Sequence, residues 1–305
     1  MKPITGAKPF VRLYFAAFTL GLFALMAITA CLFKGSLLAP LMLTQLDSVN
    51  LPPALFSPHI LGTDALGRDL LCLLVAGAFG TLTVAFGAAL SASFIGYLWG
   101  SLSALCGGFV DNLMMRIVDG LLSIPSIILL LVLTSILTSP EFTSRLPSFI
   151  TGPLGVTSYS SGYLPMALVI AALSATAWLE SARVARSRVD TIMQEEYFTA
   201  AKALGATVPH LLVRHLAPAL TSLALLEATL LTADAIILES GLSFLGLGLG
   251  PSTPSWGTML RDAQPGLLSG NYFAALLPGL FIALTVVSIH FTAEAYVQHN
   301  SYKER

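Results

Sequence analysis

Six apolar runs, each near the length needed to cross a bilayer, limit what this chain can become. A helix rises about 1.5 Å per residue, so about 20 apolar residues span the hydrocarbon core. Such runs lie near residues 12–33, 78–100, 119–138, 163–181, 219–239 and 272–292. Of the 305 residues, 55% are hydrophobic and 10% charged, against roughly 25% charged in a soluble domain. Backbone N–H and C=O groups in lipid must bond within the chain, which a helix achieves segment by segment. The expected fold class is all-α, a polytopic membrane protein with about six transmembrane helices. The second run reaches back to Leu70, which leaves open a short surface helix ahead of that span.

The N-terminal run follows Lys2, Lys8 and Arg12 and outlasts the roughly 7–15-residue core of a signal peptide. It reads as an uncleaved first membrane helix. Six spans put both termini on one side, and basic residues orient them. With the N-terminus inside, only Lys34, Arg68, Arg145 and Arg261 of the 15 Lys and Arg fall on outer segments. Both termini are therefore expected in the cytoplasm. The expected organisation is a first helix with an extracytoplasmic loop over 1–70, a transmembrane core over 71–292 and a cytoplasmic tail over 293–305. Cys31, Cys72 and Cys106 lie far apart beside apolar segments and read as small packing residues, without metal-ligand or disulfide spacing.

The loops carry local charge chemistry. The first outer segment holds Pro40, Pro52, Pro53 and Pro58 and reads as extended chain. It closes on Gly62, Asp64, Gly67, Arg68 and Asp69, which read as a lid stapled by an ion pair in preference to a catalytic site. In the turn 106–119, Arg116 is expected to pair with Asp111 or Asp119. Ser123 and Pro125 place a kink in the third span, tolerable where neighbours satisfy the freed carbonyl. The loop over 139–162 is polar, with no identifiable chemistry. The fourth span ends in Trp178, Glu180, Arg183, Arg186 and Arg188 and is expected to continue as a helix beyond the bilayer.

That continuation meets a polar, helix-prone island from Glu195 to Pro218. Tyr197 to Leu204 favour a helix, and Gly205 stands where a left-handed cap belongs. Thr207 is placed to cap a second helix with Pro209 in its first turn, and Pro218 to close it. The pattern fits either an ordinary interhelical loop or a compact knob that transmits motion from a soluble partner.

The fifth span carries costly groups. Glu227 and Asp234, seven residues apart, share a helix face. An ionised acid at mid-membrane costs roughly 2.5–3.5 kcal/mol on insertion scales. With Glu239 they are expected to line a path or a subunit interface, or else to form internal hydrogen bonds. Glycines 241, 246, 248 and 250 weaken a regular helix after Glu239 and permit close packing. Trp256 fits an interfacial anchor. There is no nucleophile elbow, Walker motif or paired His at metal spacing, and His59, His210, His215, His290 and His299 are scattered. The chain is read as no enzyme, with no cofactor and no nucleic-acid partner.

The segment Tyr197 to Gly205, followed by Arg214-His215-Leu216-Ala217-Pro218, resembles the EAA loop of ABC-importer permeases. The spacing from Thr199 through Ala200, Ala201 and Gly205 to Pro218 is kept. Thr199 replaces the family's Glu, His215 its Ile and Ala217 its Leu. Leu61-Gly62-Thr63-Asp64 with Gly67-Arg68-Asp69, Gly107-Gly108 with Asp111, Arg116 and Asp119, and Glu239 to Gly248 with Trp256-Gly257 are similar to segments of the dipeptide, oligopeptide and nickel permeases, in the same order. The resemblance implies an inner-membrane permease paired with a second, homologous permease. Two cytoplasmic ATPases would drive the pair, and an extracytoplasmic binding protein would deliver substrate. It further implies that the island couples to the ATPase through Glu195, Glu196, Tyr197, Thr199, Ala200, Ala201, Lys202, Gly205 and Pro218. Glu195 and Glu196 offer a charge where Thr199 does not. The alternative from another class is a stand-alone ion-coupled carrier using Glu227 and Asp234.

Overall fold

The computed structural model describes residues 9–33, 43–54, 56, 58–147, 163–250, 253–268, 270 and 272–303. In chain order the helices are α1 (Pro9–Phe33), α2 (Leu70–Cys106), α3 (Gly108–Leu122), α4 (Ser126–Leu137), α5 (Pro140–Ser144) and α6 (Leu164–Ile192). They continue with α7 (Glu196–Ala203), α8 (Ala217–Phe244), α9 (Trp256–Asp262), α10 (Gln264–Leu268) and α11 (Phe273–Lys303). Between α7 and α8 lie a single turn, Val208–His210, and a π-helical segment, Leu211–Leu216. Extended pairing among the described residues is limited to one bridge between Thr63 and Asp69. The all-α polytopic expectation is met.

Five helices are long and apolar enough to cross a membrane, and α3 with α4 makes a sixth span if taken together. That third span is not the kinked rod expected over 119–138. It starts earlier, at Gly108, and turns by 88° between α3 and α4. Pro125 has no N–H to give and steers Ile124 away from helical geometry, so α3 stops at Leu122 and a new helix starts at Ser126. Much of the 139–162 loop, residues 148–162, lies outside the described residues.

Leu70 opens α2 itself rather than a separate surface helix. Asp69 caps it, accepting from the Cys72 N–H at 2.9 Å. Its 37 residues extend about 55 Å, so the helix outruns the hydrocarbon core. The first apolar run is α1, which packs on α2 and α11; Thr19 and Ser288 share a hydroxyl hydrogen bond of 2.5 Å between them.

The central contact is α2 against α6. Ala85, Ala88 and Ala92 on α2 and Ala172, Ala182 and Ala185 on α6 are all buried to within 1%. Small residues let two backbones approach, which is how helices associate in lipid. At Gly96 and Gly100 the approach is closest: a Cβ on Gly96 would meet Ser181 and the Trp178 carbonyl, and one on Gly100 the Ala182 carbonyl and Arg186 nitrogen. Ser91 and Ser174 bond across the same seam at 2.5 Å.

The same core extends toward the end of the bundle that holds α9. There Trp256 is fully buried, in edge contact with Phe23 and Phe281, and donates its indole N–H to the Leu74 carbonyl at 3.1 Å. Trp256 is therefore packed inside the protein and not exposed as the expected anchor. A buried Trp needs one acceptor, and α2 supplies it. The cysteines are free; Cys72 is buried, while Cys31 and Cys106 are exposed rather than packed.

The glycine seam generates a direct test. Gly100→Leu should destabilise the purified protein by about 1–3 kcal/mol or more, because the opposing atoms are backbone and cannot yield. Gly120→Leu, where nothing lies within 4 Å, should leave the thermal midpoint nearly unchanged.

Candidate functional site

The knob at Glu195–Pro218 grows out of α6. That helix runs on to Ile192, and a short turn leads to Glu195 in extended geometry before α7. Glu196 in the first turn and Lys202 in the last both suit the helix dipole. The far end closes as a Schellman motif: Gly205 N–H bonds to the Lys202 carbonyl at 3.1 Å and Ala206 N–H to the Ala201 carbonyl at 3.2 Å. Gly205 takes φ +84, where a side chain is strained. The expected glycine cap is present.

The knob has its own small core. Phe198, 1% exposed, inserts among Tyr97 and Ala104 of α2, Val189 and Ile192 of α6, and Leu211 and Leu216 of the π segment. Burying a Phe side chain contributes about 1.5–3 kcal/mol where water is the alternative. His215 stands at its edge, with Tyr197 stacked on it at 6.2 Å, and His210 5.7 Å away. His215 thus makes ring contacts with Tyr197, Phe198 and His210. Around this core Glu195, Glu196, Tyr197, Thr199, Ala200, Lys202 and Gly205 are exposed, Ala201 is half-buried, and Leu204 projects with 89% of its surface free.

Three details of the island differ from expectation or refine it. Thr207 occupies the N-cap position, but its side chain makes no capping bond. Pro218 does not end a helix; it sits in the first turn of α8, directly after the π segment. Widening the turn lets the chain pass a proline without a break, as the Ala217 N–H bond to the Leu212 carbonyl, five residues back, shows. Thr199 turns back on its own helix, donating to the carbonyls of Glu195 at 3.2 Å and Glu196 at 2.9 Å.

Charge ties the knob's root to the elbow. Arg186 donates to both oxygens of Asp111, at 2.9 and 2.6 Å, and Ser103 donates to the same carboxylate at 2.5 Å. Arg183 reaches Asp119 at 2.6 Å. The two acids expected to pair with Arg116 thus pair with α6. The distance along the chain from Asp111 to Arg186 hides this pairing from a local reading.

At the opposite end the expected ion-pair staple is present and extends further. Asp64 holds the Arg68 guanidinium at 2.7 Å, and Arg68 also reaches Asp262 on α9 at 2.9 Å. Burial alone would lower the Arg68 pKa, but Asp262 and Asp64 hold it above the usual arginine value. His59 bonds to Asp69 at 2.8 Å. Asp262 drew no attention in the sequence, since nothing beside it signals a partner 194 residues away.

The three acids of α8 do not form one site. Asp234 is exposed and opens, with Glu180, onto a cavity of about 390 Å³ bounded by Leu121, Pro125 and Leu129 at the elbow. Glu227 is half-buried near the Tyr97 hydroxyl, without a hydrogen bond between them. Glu239 is wholly buried among the chain's own hydroxyls, so it lines no open face.

Comparison with known proteins gives a consistent picture. Residues 96–301 match the family model described as binding-protein-dependent transport system inner membrane component. The chain is 32% identical over 272 residues to the dipeptide transport system permease protein DppC of Bacillus subtilis (strain 168), covering 88% of this chain and 77% of that protein. It is 33% identical over 245 residues to the oligopeptide transport system permease protein OppC of the same organism, covering 80% and 70%. OppC of Lactococcus lactis subsp. lactis is 30% identical over 238 residues, covering 78% and 73%.

The root of the knob can be tested by a double-mutant cycle. Asp111→Asn and Arg186→Gln should each lower thermal stability, with a coupling energy of about 1–3 kcal/mol between them. Additive effects would show that the pair contributes nothing to the anchor.

Proposed function

We propose that this chain, which belongs to the family of binding-protein-dependent transport system inner membrane components, is the peptide-translocating half of an ATP-driven importer and takes its drive through the Glu195–Pro218 knob. It is a multi-pass inner membrane permease; the proposal concerns its cargo, its orientation and its coupling. The observation that carries the coupling is the knob's construction. It has a private core around Phe198, a rigid Schellman closure and an outward face that the chain itself leaves uncovered. A knob that bends freely would dissipate a push. One rooted in α6 by Phe198 and by Arg186–Asp111 passes it to α2 and to the α3–α4 elbow.

The docking face would consist of Glu195, Glu196, Tyr197, Thr199, Ala200, Ala201, Lys202 and Gly205, with Leu204 as the projecting apolar contact. Because Thr199 is spent on its own helix, Glu195 and Glu196 supply the acidic contact. Two ATPase subunits would receive this face and that of a second permease, which would put the knob and both termini in the cytoplasm, the side that the bias of basic residues favours. An extracytoplasmic binding protein would then meet the end carrying the Arg68–Asp262 clasp. ATP-driven closure would rock the two permeases between openings, a rigid-body transition. Asp234 and Glu180, on the cavity beside the elbow, would line this chain's share of the path. The named relatives carry dipeptides and oligopeptides, which supports peptides over nickel as cargo. Glu227 and Asp234 share no site on which an ion-coupled carrier would rest.

Gly205 offers the cleanest test, because a side chain there meets nothing within 4 Å. Gly205→Arg should leave insertion and assembly intact yet reduce peptide-stimulated ATP hydrolysis by the reconstituted complex at least about tenfold, equivalent to roughly 1.4 kcal/mol. Gly205→Ala carries the same backbone strain without the bulk and should retain most of the stimulation. Full stimulation in the Arg variant would overturn the docking role. Recovering the native complex without a nucleotide-hydrolysing subunit would overturn the whole reading.

A further inference from the structure

Glu239, near the end of α8, is the one acidic side chain among the described residues with no exposed surface at all. Among the described residues no Lys, Arg or His forms an ion pair with it; the polar side chains around it are hydroxyls. Ser243, one turn on, donates to Oε1 at 2.7 Å. Ser255, Thr81 and Ser240 complete the ring around the carboxylate. These groups come from three elements: α8, the N-cap of α9 and the first third of α2. All are buried, with Thr81, Ser243 and Ser255 at 0% exposure.

The bonding within the ring is incomplete in a particular way. Thr81 accepts the Trp256 N–H at 3.1 Å, and Ser255 accepts the Thr258 N–H at 3.1 Å, each leaving an oxygen lone pair unused, whereas Ser243 already accepts from the Leu249 N–H and from the Ser255 hydroxyl, both at 3.4 Å. Ser240 Oγ and Glu239 Oε2 are both buried and both without a hydrogen-bond partner, although they lie together. Buried polar atoms nearly always find partners, so two adjacent orphans with converging lone pairs mark a place for a third body.

We infer that Glu239 and the hydroxyls of Thr81, Ser240 and Ser255 bind a small monovalent cation, of which sodium is the fitting example, with Ser243 orienting the carboxylate. The ligands are all hard oxygens, which suit alkali and alkaline-earth ions rather than zinc or copper. Charge selects the valence. One carboxylate neutralises one positive charge, whereas a divalent ion would leave a net charge inside an apolar bundle. The close packing around the ring favours a small ion: a Cβ on Gly257 would lie 2.6 Å from the Ser240 Cα and 2.7 Å from the Ser243 Cβ. The bound ion joins the end of α8, the start of α9 and α2, and so fixes the platform on which the Arg68–Asp262 clasp closes. The site is structural, needs no ion gradient, and stands apart from the coupling role of the knob.

The test uses the full chain purified in detergent. Thermal unfolding is followed in sodium chloride and in choline chloride of equal ionic strength. The wild type should gain roughly 3–6 °C in sodium, saturating with concentration. Glu239→Gln keeps the shape and hydrogen-bonding capacity but removes the charge, so it should lose the sodium-dependent rise. Ser240→Ala, which keeps the carboxylate, should need more sodium for the same rise and serves if the Gln variant does not fold. A wild type indifferent to the choice of cation would mean that Glu239 is held by a proton or a water, and would overturn the site. So would a Gln variant that keeps the full sodium response.

Discussion

Helices in lipid gain little by hiding apolar side chains from one another, because the surrounding tails are just as apolar. They hold together where backbones come close enough for dispersion and short polar contacts to accumulate. In this protein that condition is met along α2 and α6, where Gly96 and Gly100 admit α6 to backbone contact and Ser91 meets Ser174. The position of α6 then decides most of the remaining geometry. Its Arg183 and Arg186 set where α3 lies, the α3–α4 elbow follows from α3, and its last turns place the knob. The seam is thus the reference from which both the cavity beside Pro125 and the surface around Leu204 are measured.

The two ends of the bundle are held by different means. At the knob the surroundings are polar, and an ordinary hydrophobic core around Phe198 is effective because water is its alternative. At the α9 end, the organising contacts are polar groups inside an apolar setting: Trp256 to the Leu74 carbonyl, Arg68 between Asp64 and Asp262, and the hydroxyl ring about Glu239. Polar contacts of this kind are costly if left incomplete, so they specify one arrangement rather than many. Both ends are thereby held as whole units, each by the kind of contact its surroundings make effective.

How much of this could be read from the sequence depends on the range of the interaction. The membrane helices were legible because span length and backbone satisfaction act locally. The closure at Gly205 was legible because a left-handed cap depends on one residue, and the Asp64–Arg68 staple because its partners lie four apart. Pairing across the fold was not legible: Arg186 with Asp111 and Arg68 with Asp262 become neighbours only through packing. Trp256 was misplaced because an amphipathic ring suits an interface and a buried acceptor equally well, and only α2 decides between them. Pro218 misled for a related reason. Proline rules assume a regular α-helix, and a local change of helix type removes the conflict. Thr199 shows a subtler limit, since its β-branched hydroxyl can serve the backbone as readily as a partner.

The π-helical stretch at Leu211–Leu216 has a geometric consequence for the knob. Relative to an uninterrupted α-helix, one π turn absorbs about one extra residue, which shifts the angular phase of everything beyond it by roughly 100°. The turn Val208–His210 and α8 are therefore indexed against each other by a single residue, like a gear advanced by one tooth. With α7 held by α6 and by Phe198, removing that residue would strain the join between the knob and α8 and leave the face bearing Tyr197 and Leu204 where it is.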